Sequence, residues 1–212
     1  EFIFKSKKEN IQVLNTLGWS YFHINKFKKA EEIFLYCLKK DIKNIQSLNS
    51  LGRLYHETRN SLEAKKYFSK AMSIDSNVIE TLNNYAGFCL EESNYEYAIN
   101  LYKKAEKINP KNSIILNNLS KTYFSSGNIT QAEKYVNSAL FLKTKDDDIK
   151  KNKSIILLKK YQFKEAWALF DSRLNLSEFG DRNTTLNLVK DKLLKNNEIK
   201  YKSKILIIRE QG

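Results

Sequence analysis

One phrase recurs along this chain at a fixed interval of 34 residues. The segment LNTLGWSYF begins at Leu14, and related segments follow as LNSLGRLYH from Leu48, LNNYAGFCL from Leu82 and LNNLSKTYF from Leu116. A constant period of this length indicates one small unit that is stacked on copies of itself. The period therefore restricts the chain to a repeat architecture, in which each unit buries its apolar face against its neighbours.

Three positions of the repeating window describe the unit further. In windows that begin at Ile11, Ile45, Ile79, Ser113 and Asp147, the eighth residue is small, the twentieth is alanine and the twenty-fourth is apolar or aromatic. These residues are Gly18, Gly52, Ala86, Ser120 and Ser154; Ala30, Ala64, Ala98, Ala132 and Ala166; and Phe34, Phe68, Tyr102, Val136 and Phe170. Apolar residues also recur at helical spacing on both sides of a polar turn, which predicts two closely packed antiparallel helices per window.

This pattern resembles the tetratricopeptide repeat, whose signature places a small residue, a tyrosine, an alanine and a phenylalanine at fixed offsets. The matching residues are Leu14, Leu17, Gly18, Tyr21, Ala30 and Phe34 in the first window, with leucine where the family has tryptophan. The helix-ending proline of the family is present once, as Pro110. The resemblance implies an all-α fold, a helical-hairpin solenoid wound into a right-handed superhelix, in which the first helix of each repeat lines the concave face.

The rhythm also predicts the organisation of the chain. We expect four repeats at 11–44, 45–78, 79–112 and 113–146, preceded at 1–10 by the end of another repeat. We expect a fifth, degenerate or capping repeat at 147–180, because Lys150 and Lys153 replace leucines of the signature. The remaining residues are predicted to form a linker and helix at 181–203 and a strand at 204–212, where aliphatic residues are consecutive. Because the chain begins without methionine, we expect a fragment of a longer protein.

The end of the chain resembles a second family. In bacterial proteins that carry such repeats before a glycosyltransferase with two Rossmann-like halves, a last helix with a spaced aromatic, acidic and arginine motif precedes a strand ending in Glu-Gln-Gly. The residues that carry this resemblance are Phe163, Glu165, Ala166, Trp167, Phe170 and Arg173, then Lys204, Ile205, Leu206, Ile207, Ile208, Glu210, Gln211 and Gly212. Ala166 departs from the glycine of that motif. The resemblance implies that residues 204–212 are the first strand of a truncated Rossmann-like domain. It also implies that the parent protein transfers a sugar from a nucleotide-sugar donor with residues that lie further on.

Composition and motifs exclude several other functions. The net charge of +13 is compatible with nucleic-acid binding, yet basic and acidic residues are interspersed along the whole chain, so we expect no nucleic-acid partner. No apolar run is long enough to span a membrane, and we expect a cytoplasmic protein without a membrane partner. Cys37 and Cys89 occupy core positions of the repeat, and His23 and His56 lack the spacing of a metal site. We therefore predict no catalytic residue, no metal and no cofactor in this fragment.

A row of asparagines is the first candidate for binding. The fifth residue of each window is Asn15, Asn49, Asn83 or Asn117, on the helix that faces the concave groove in the family. An amide offers both a donor and an acceptor, so such a row can hold the backbone of an extended peptide. The same asparagines can instead bond neighbouring repeats to one another, or reflect a composition rich in asparagine, and the sequence leaves these alternatives open.

Variable residues around this row complete the predicted peptide-binding groove. They are Trp19, Phe22, Arg53, His56, Lys121 and Phe124. Trp19 and Phe22 are apolar on a face that we expect to be wet, so they are either anchors for a peptide or surfaces for an upstream repeat. The sequence therefore predicts a protein- or peptide-binding scaffold. This scaffold is either the non-catalytic N-terminal part of a glycosyltransferase or a stand-alone adaptor without an enzymatic domain.

Overall fold

The computed structural model describes residues 10–174, which form five consecutive antiparallel helical hairpins. Within this range, the helices are α1 (Ile11–His23), α2 (Phe27–Lys40), α3 (Ile45–Glu57), α4 (Ser61–Ile74), α5 (Ile79–Glu91), α6 (Tyr95–Ile108), α7 (Ser113–Ser125), α8 (Ile129–Leu142), α9 (Asp147–Lys159) and α10 (Phe163–Leu174). The predicted all-α helical-hairpin architecture is confirmed. The predicted linker, helix and terminal strand at 181–212, and most of the partial repeat at 1–10, lie outside the described residues.

Asparagine and aspartate side chains start most of the helices. The residues before α1, α3, α7 and α9 are Asn10, Asn44, Asn112 and Asp146, and each accepts a hydrogen bond from a backbone N–H of the first helical turn. This cap satisfies one of the backbone donors that a helix start leaves without an intrahelical acceptor. Many of the asparagines in this chain are thus placed by helix capping, a second signal with the 34-residue period.

The turn inside each hairpin contains one residue with a left-handed backbone. These residues are Asn25, Arg59, Ser93, Gly127 and Tyr161, with φ of 58°, 58°, 60°, 84° and 62°. A left-handed residue ends the first helix and reverses the chain, and glycine is the residue that adopts it most easily. Only the fourth hairpin uses glycine here, so the turn recurs even where its most favourable residue does not.

The glycines at the eighth position of the first two windows lie directly over aromatic rings of the second helix. A Cβ added to Gly52 would come within 2.6 Å of Phe68 Cε1, and one added to Gly18 would overlap the Phe34 ring in the same way. Phe34 and Phe68 have no exposed surface. These glycines therefore allow the two helices of a hairpin to pack at close range.

The odd-numbered helices form the inner face of the array. Each one contacts the next odd-numbered helix, from α1 to α3 and onward to α9, while each of α2, α4, α6 and α8 packs between the odd-numbered helices on either side. Elements that touch their equivalents in the next unit lie at the smaller radius of a curved stack. The inner face is therefore built by α1, α3, α5, α7 and α9, as the resemblance to the tetratricopeptide repeat implies.

The described helices are all too short or too polar to cross a lipid bilayer. Both cysteines are buried in the core, and burial raises the pKa of the Cys89 thiol to about 12. Cys37 and Cys89 are therefore core residues, and Cys89 stays protonated at neutral pH.

Candidate functional site

The structure buries three of the four asparagines that the sequence predicts in the groove. Asn15, Asn49 and Asn117 have exposed fractions of 0%, 1% and 5%. Their amides point into the contacts between odd-numbered helices, where a passing peptide would not reach them. The interpretation of these three residues as readers of a peptide backbone is therefore corrected.

Each asparagine instead bonds to the following odd-numbered helix. Ser47 Oγ donates to Asn15 Oδ1 at 3.1 Å, and Asn49 Nδ2 donates to Thr81 Oγ1 at 2.8 Å. Asn152 Nδ2 donates to Asn117 Oδ1 at 2.8 Å, and the half-buried Asn83 accepts from Asn118 Nδ2 at 2.9 Å. These are the bonds between repeats that the sequence left as the alternative. They join the hairpins along the inner face.

An aromatic and cationic cluster lies at the α1 end of the inner face. The rings of Trp19 and Phe22 meet edge to face with centroids 5.0 Å apart. The guanidinium carbon of Arg53, on α3, lies 4.3 Å from the Trp19 centroid and 6.0 Å from the Phe22 centroid. All three residues are half-buried. The structure thus brings three of the predicted groove residues together, and we call them the Trp19 cluster.

The Trp19 side chain also packs inward. Its ring lies 5.8 Å from that of Phe34, between centroids, so the tryptophan covers the core of its own hairpin. Trp19 and Phe22 therefore have contacts in the described part of the chain that do not depend on an upstream repeat. Their outer surfaces remain partly accessible on the inner face.

His56 links α3 to α5. Its Nε2 lies 2.9 Å from Glu91 Oε2, and its ring meets that of Phe88 edge to face with centroids 5.4 Å apart. His56 is therefore engaged by residues of the neighbouring helix α5.

A pocket of about 290 Å³ lies at the other end of the inner face, between α7 and α9. Its lining residues are Lys121, Phe124, Ser125, Asp148, Lys151, Asn152 and Ile155. Lys121 and Phe124 were both predicted from the sequence, and the structure places them together. Within the described residues, neither Lys121 nor Lys151 forms an ion pair. We call this surface the α7–α9 pocket.

A larger cavity of about 400 Å³ lies elsewhere, between α8 and the connection from α6 to α7. Its lining includes Pro110, Phe141 and Leu142, with Lys111 as the charged residue. None of the predicted groove residues lines it, and it contains no group of titratable side chains. We therefore place the candidate site on the inner face, where the predicted residues converge.

The middle of the inner face contains a feature that the sequence reasoning missed. At the ninth window position, where other repeats have Trp19, Arg53 and Lys121, the third repeat has Gly87. A Cβ added there would meet the hydroxyl of Tyr102 at 3.6 Å. The available signal was a glycine in mid-helix, one residue after the small position that the repeat requires.

In the described helices, no three His, Cys, Asp or Glu side chains group as metal ligands. The inner face alternates in charge instead. Arg53 lies near one end, Glu57, Glu80 and Glu91 lie on α3 and α5, and the two lysines of the α7–α9 pocket lie near the other end. The arrangement offers stacking, apolar contact and charge, which suit recognition of another molecule.

Comparison with known proteins identifies the repeat. Models of the tetratricopeptide repeat match residues 45–78 and 89–154. None of the curated protein sequences matches the chain.

Several solved structures share the fold. The chain is similar to the structure reported in a functional characterisation of pilF from Pseudomonas aeruginosa, with a TM-score of 0.75 and 21% identity over 88% of this chain and 85% of that one. The structure of a thermophilic TPR protein from Thermus thermophilus matches with a TM-score of 0.69 and 17% identity. The match covers 87% of this chain and 100% of that one. MamA from Desulfovibrio magneticus matches with a TM-score of 0.67 and 12% identity. The match covers 83% of this chain and 99% of that one. The described helices therefore have the fold of a right-handed tetratricopeptide-repeat solenoid, and residues 45–78 and 89–154 are tetratricopeptide repeats.

Proposed function

We propose that this tetratricopeptide-repeat scaffold binds an extended segment of a partner protein along its inner face. Such binding requires partly accessible side chains on that face. These side chains must also have hydrogen-bonding groups or apolar surface that contacts within their own protein do not already use. Fully packed residues between repeats would not serve, which removes the buried asparagines from the proposed contacts.

The observation that carries the proposal is the state of Arg53 in the Trp19 cluster. The Trp19 ring supports one side of the guanidinium at 4.3 Å, and no described residue accepts a hydrogen bond from it or pairs with its charge. Stacking restricts the side chain in advance, so less conformational entropy is lost when its N–H groups bind a ligand. A guanidinium that is restricted by stacking and has no ion-pair partner among the described residues can donate hydrogen bonds to a carboxylate or carbonyl of a partner protein.

The α7–α9 pocket supplies a second contact area at the opposite end. Phe124 and Ile155 give apolar lining, and Lys121 and Lys151 give charge without an ion pair in the described helices. A segment that spans the face from α3 to α9 would contact both areas. Two such areas make an extended segment a better fit than a single small molecule.

The test uses peptides selected on the wild-type chain from a random library of displayed dodecapeptides. The tightest peptide is labelled, and its Kd is measured by fluorescence anisotropy for Arg53→Ala and Lys121→Ala. We expect each variant to bind at least about fivefold more weakly, since a charged hydrogen bond contributes roughly 1.5–3 kcal/mol.

Lys70→Ala and Lys134→Ala are matched controls, because these exposed lysines lie on the even-numbered helices α4 and α8. They remove the same charge from the other side of the array. Equal losses in the controls and the inner-face variants would show that the peptide responds only to net charge. That result would contradict a site on the inner face.

We also propose that these repeats precede a glycosyltransferase domain, with a stand-alone adaptor as the alternative. The support lies in α10, where the motif residues Phe163, Glu165, Ala166 and Trp167 occupy one helix and Ala166 is buried. Sequencing of the gene beyond the codon for Gly212 tests the idea. A Gly-Asp continuation and alternating strands and helices would support it, whereas a stop codon or further 34-residue repeats would favour the adaptor.

A further inference from the structure

The third hairpin differs from its neighbours at two positions that meet in space. The ninth and twenty-fourth window positions hold Trp19 and Phe34 in the first repeat, Arg53 and Phe68 in the second, and Lys121 and Val136 in the fourth. In the third repeat they hold Gly87 and Tyr102. Among these four repeats, only the third has no side chain at the ninth position. The residue that lies beneath this position, Tyr102, carries a hydroxyl.

Gly87 has no packing reason to be glycine. In the described part of the chain, apart from the two chain neighbours and the backbone of the same helix, the only atom within 4 Å of an added Cβ would be the Tyr102 hydroxyl oxygen, at an ordinary contact distance of 3.6 Å. Gly52 differs, since its added Cβ would overlap the Phe68 ring. Glycine is also one of the least favourable residues in a helix interior. The protein therefore keeps an unfavourable residue where its own packing does not require it.

The hydroxyl of Tyr102 has no partner in the described part of the chain. Tyr102 as a whole is 2% exposed. Its hydroxyl oxygen is not among the unpartnered polar atoms that are fully enclosed, so part of the surface that remains accessible belongs to this hydroxyl, beside Gly87. Two other tyrosine hydroxyls on these helices are bonded within the protein: that of Tyr85 lies 3.2 Å from Ser69 Oγ, and that of Tyr55 donates to Glu31. Buried polar groups in proteins normally have partners, so an unpaired one needs a reason.

The surroundings indicate which kind of group would complete this hydrogen bond. Burial raises the pKa of Tyr102, and the negative charge of Glu91 raises it further, so the hydroxyl remains a donor at neutral pH. The negative charge of Glu91 disfavours an anionic acceptor such as a carboxylate or phosphate. A neutral carbonyl oxygen satisfies the donor without that repulsion.

We propose that Gly87 and Tyr102 form a main-chain recognition site, at which the Tyr102 hydroxyl donates a hydrogen bond to a backbone carbonyl of the partner segment. The missing side chain at Gly87 lets another backbone approach the helix closely. The inference rests on the proposed function, and it adds the place at which the segment is read independently of its side chains.

The first measurement compares two tyrosine variants with the selected dodecapeptide. Tyr102→Phe removes one hydroxyl, and we expect a Kd about three- to tenfold weaker with an unchanged melting temperature. Tyr85→Phe is the matched control, because it removes a hydroxyl from the same hairpin that is already bonded within the protein. Its Kd should equal that of the wild type. Equal affinities of Tyr102→Phe and the wild type would overturn the inference.

The second measurement locates the carbonyl. Each amide of the peptide is replaced in turn by an ester, whose carbonyl is a poorer acceptor and which also lacks the N–H. We expect one ester that weakens binding to the wild type and has less effect on Tyr102→Phe, since the bond is already lost there. If every ester weakens binding to both proteins equally, no carbonyl is read by this hydroxyl and the inference fails.

The third measurement uses a variant whose new side chain covers the surface at Gly87. Gly87→Leu should raise the melting temperature, because leucine favours the helix, and should weaken peptide binding at least about tenfold by occupying the space over Tyr102. If Arg53→Ala weakens binding while Gly87→Leu and Tyr102→Phe do not, the proposed function stands and this inference is overturned. If no selected peptide responds to any inner-face variant, both are overturned.

Discussion

The second and third hairpins use glycine for opposite purposes. In the second hairpin, α3–α4, Gly52 lies over the fully buried ring of Phe68, and an added Cβ would come within 2.6 Å of it. In the third hairpin, α5–α6, the equivalent residue is Ala86, and the glycine is one position later, at Gly87, where an added Cβ has room. Moving the glycine by one residue rotates it by about 100° around the helix. It thereby leaves the seam inside the hairpin and reaches the inner face.

The difference shows that a small residue in a repeat protein has two separable meanings. At the eighth position it permits two helices of the same protein to approach each other. At the ninth it leaves surface uncovered, and the ring below ends in a hydroxyl instead of a hydrogen. Substitutions that keep these positions apart can therefore separate packing from recognition.

Overpacking of the seam should give the largest effect. Gly52→Leu should lower the free energy of unfolding by about 3 kcal/mol, because the new side chain must displace Phe68 from a core without space. Arg53→Leu, one residue later on the half-buried inner face, should stay within about 0.5 kcal/mol. Urea unfolding followed by circular dichroism measures both. Equal stabilities would mean that the contrast between the eighth and ninth positions is wrong.

The polar joint between the two hairpins should give the next effect. Asn49→Ala should cost about 2 kcal/mol, since it removes the buried bond to Thr81 and leaves that hydroxyl without its partner. The exposed Gln46→Ala on the same helix serves as the control. The double variant Asn49→Ala with Asn83→Ala should melt earlier still. Normal melting together with weaker peptide binding would instead revive the asparagines as ligand contacts.

Adding a single methyl group should change stability in opposite directions at Gly87 and Gly52. Gly87→Ala should raise the free energy of unfolding by about 1 kcal/mol, because alanine favours the helix and its Cβ has room. Gly52→Ala gains the same propensity but places its Cβ against the Phe68 ring, so stability should fall. Paired melting curves decide the matter. A loss of stability in Gly87→Ala would show that packing does require this glycine.

The third hairpin should also be the first to weaken in alkaline solution. Burial raises the pKa of Cys89 from 9.0 to about 12, so the folded chain retains a proton that the unfolded chain has lost. This contribution is complete below pH 9 and is lost as the pH rises toward 12. At pH 9.5 the wild type should lose up to about 1 kcal/mol more than Cys89→Ala, each relative to pH 7. Identical losses in both proteins would assign the alkaline effect elsewhere.

The fold could be predicted because the period and the packing depend on the same few residues. A small eighth residue, an alanine and an apolar or aromatic residue recur every 34 positions, and each is explained by close contact between two helices. The site was harder to predict. The spacing of Asn15, Asn49 and Asn117 places them on the odd-numbered helices, but it does not distinguish an amide that faces the groove from one that faces the next helix.

The variable residues differ from the buried asparagines in their exposure. Trp19, Phe22, Arg53, Lys121 and Phe124 do lie on the inner face, and their role in binding stays a prediction. Tyr102 could be recognised only as a core aromatic, because its hydroxyl becomes accessible through the absence of a side chain on another helix. Such a property belongs to a pair of positions, and a column-by-column reading of the repeat does not detect it.

The separation in sequence of the residues that bond to one another also bears on how such a chain can lengthen. Described side-chain bonds between neighbouring hairpins, such as Asn118 to Asn83 and Asn152 to Asn117, join residues 35 positions apart, about one repeat. Adding another copy of the unit therefore adds contacts of the same short range and leaves the topology unchanged. Because folding rates fall as contacts become more distant in sequence, gene duplication can extend this array without imposing a slower search for its structure.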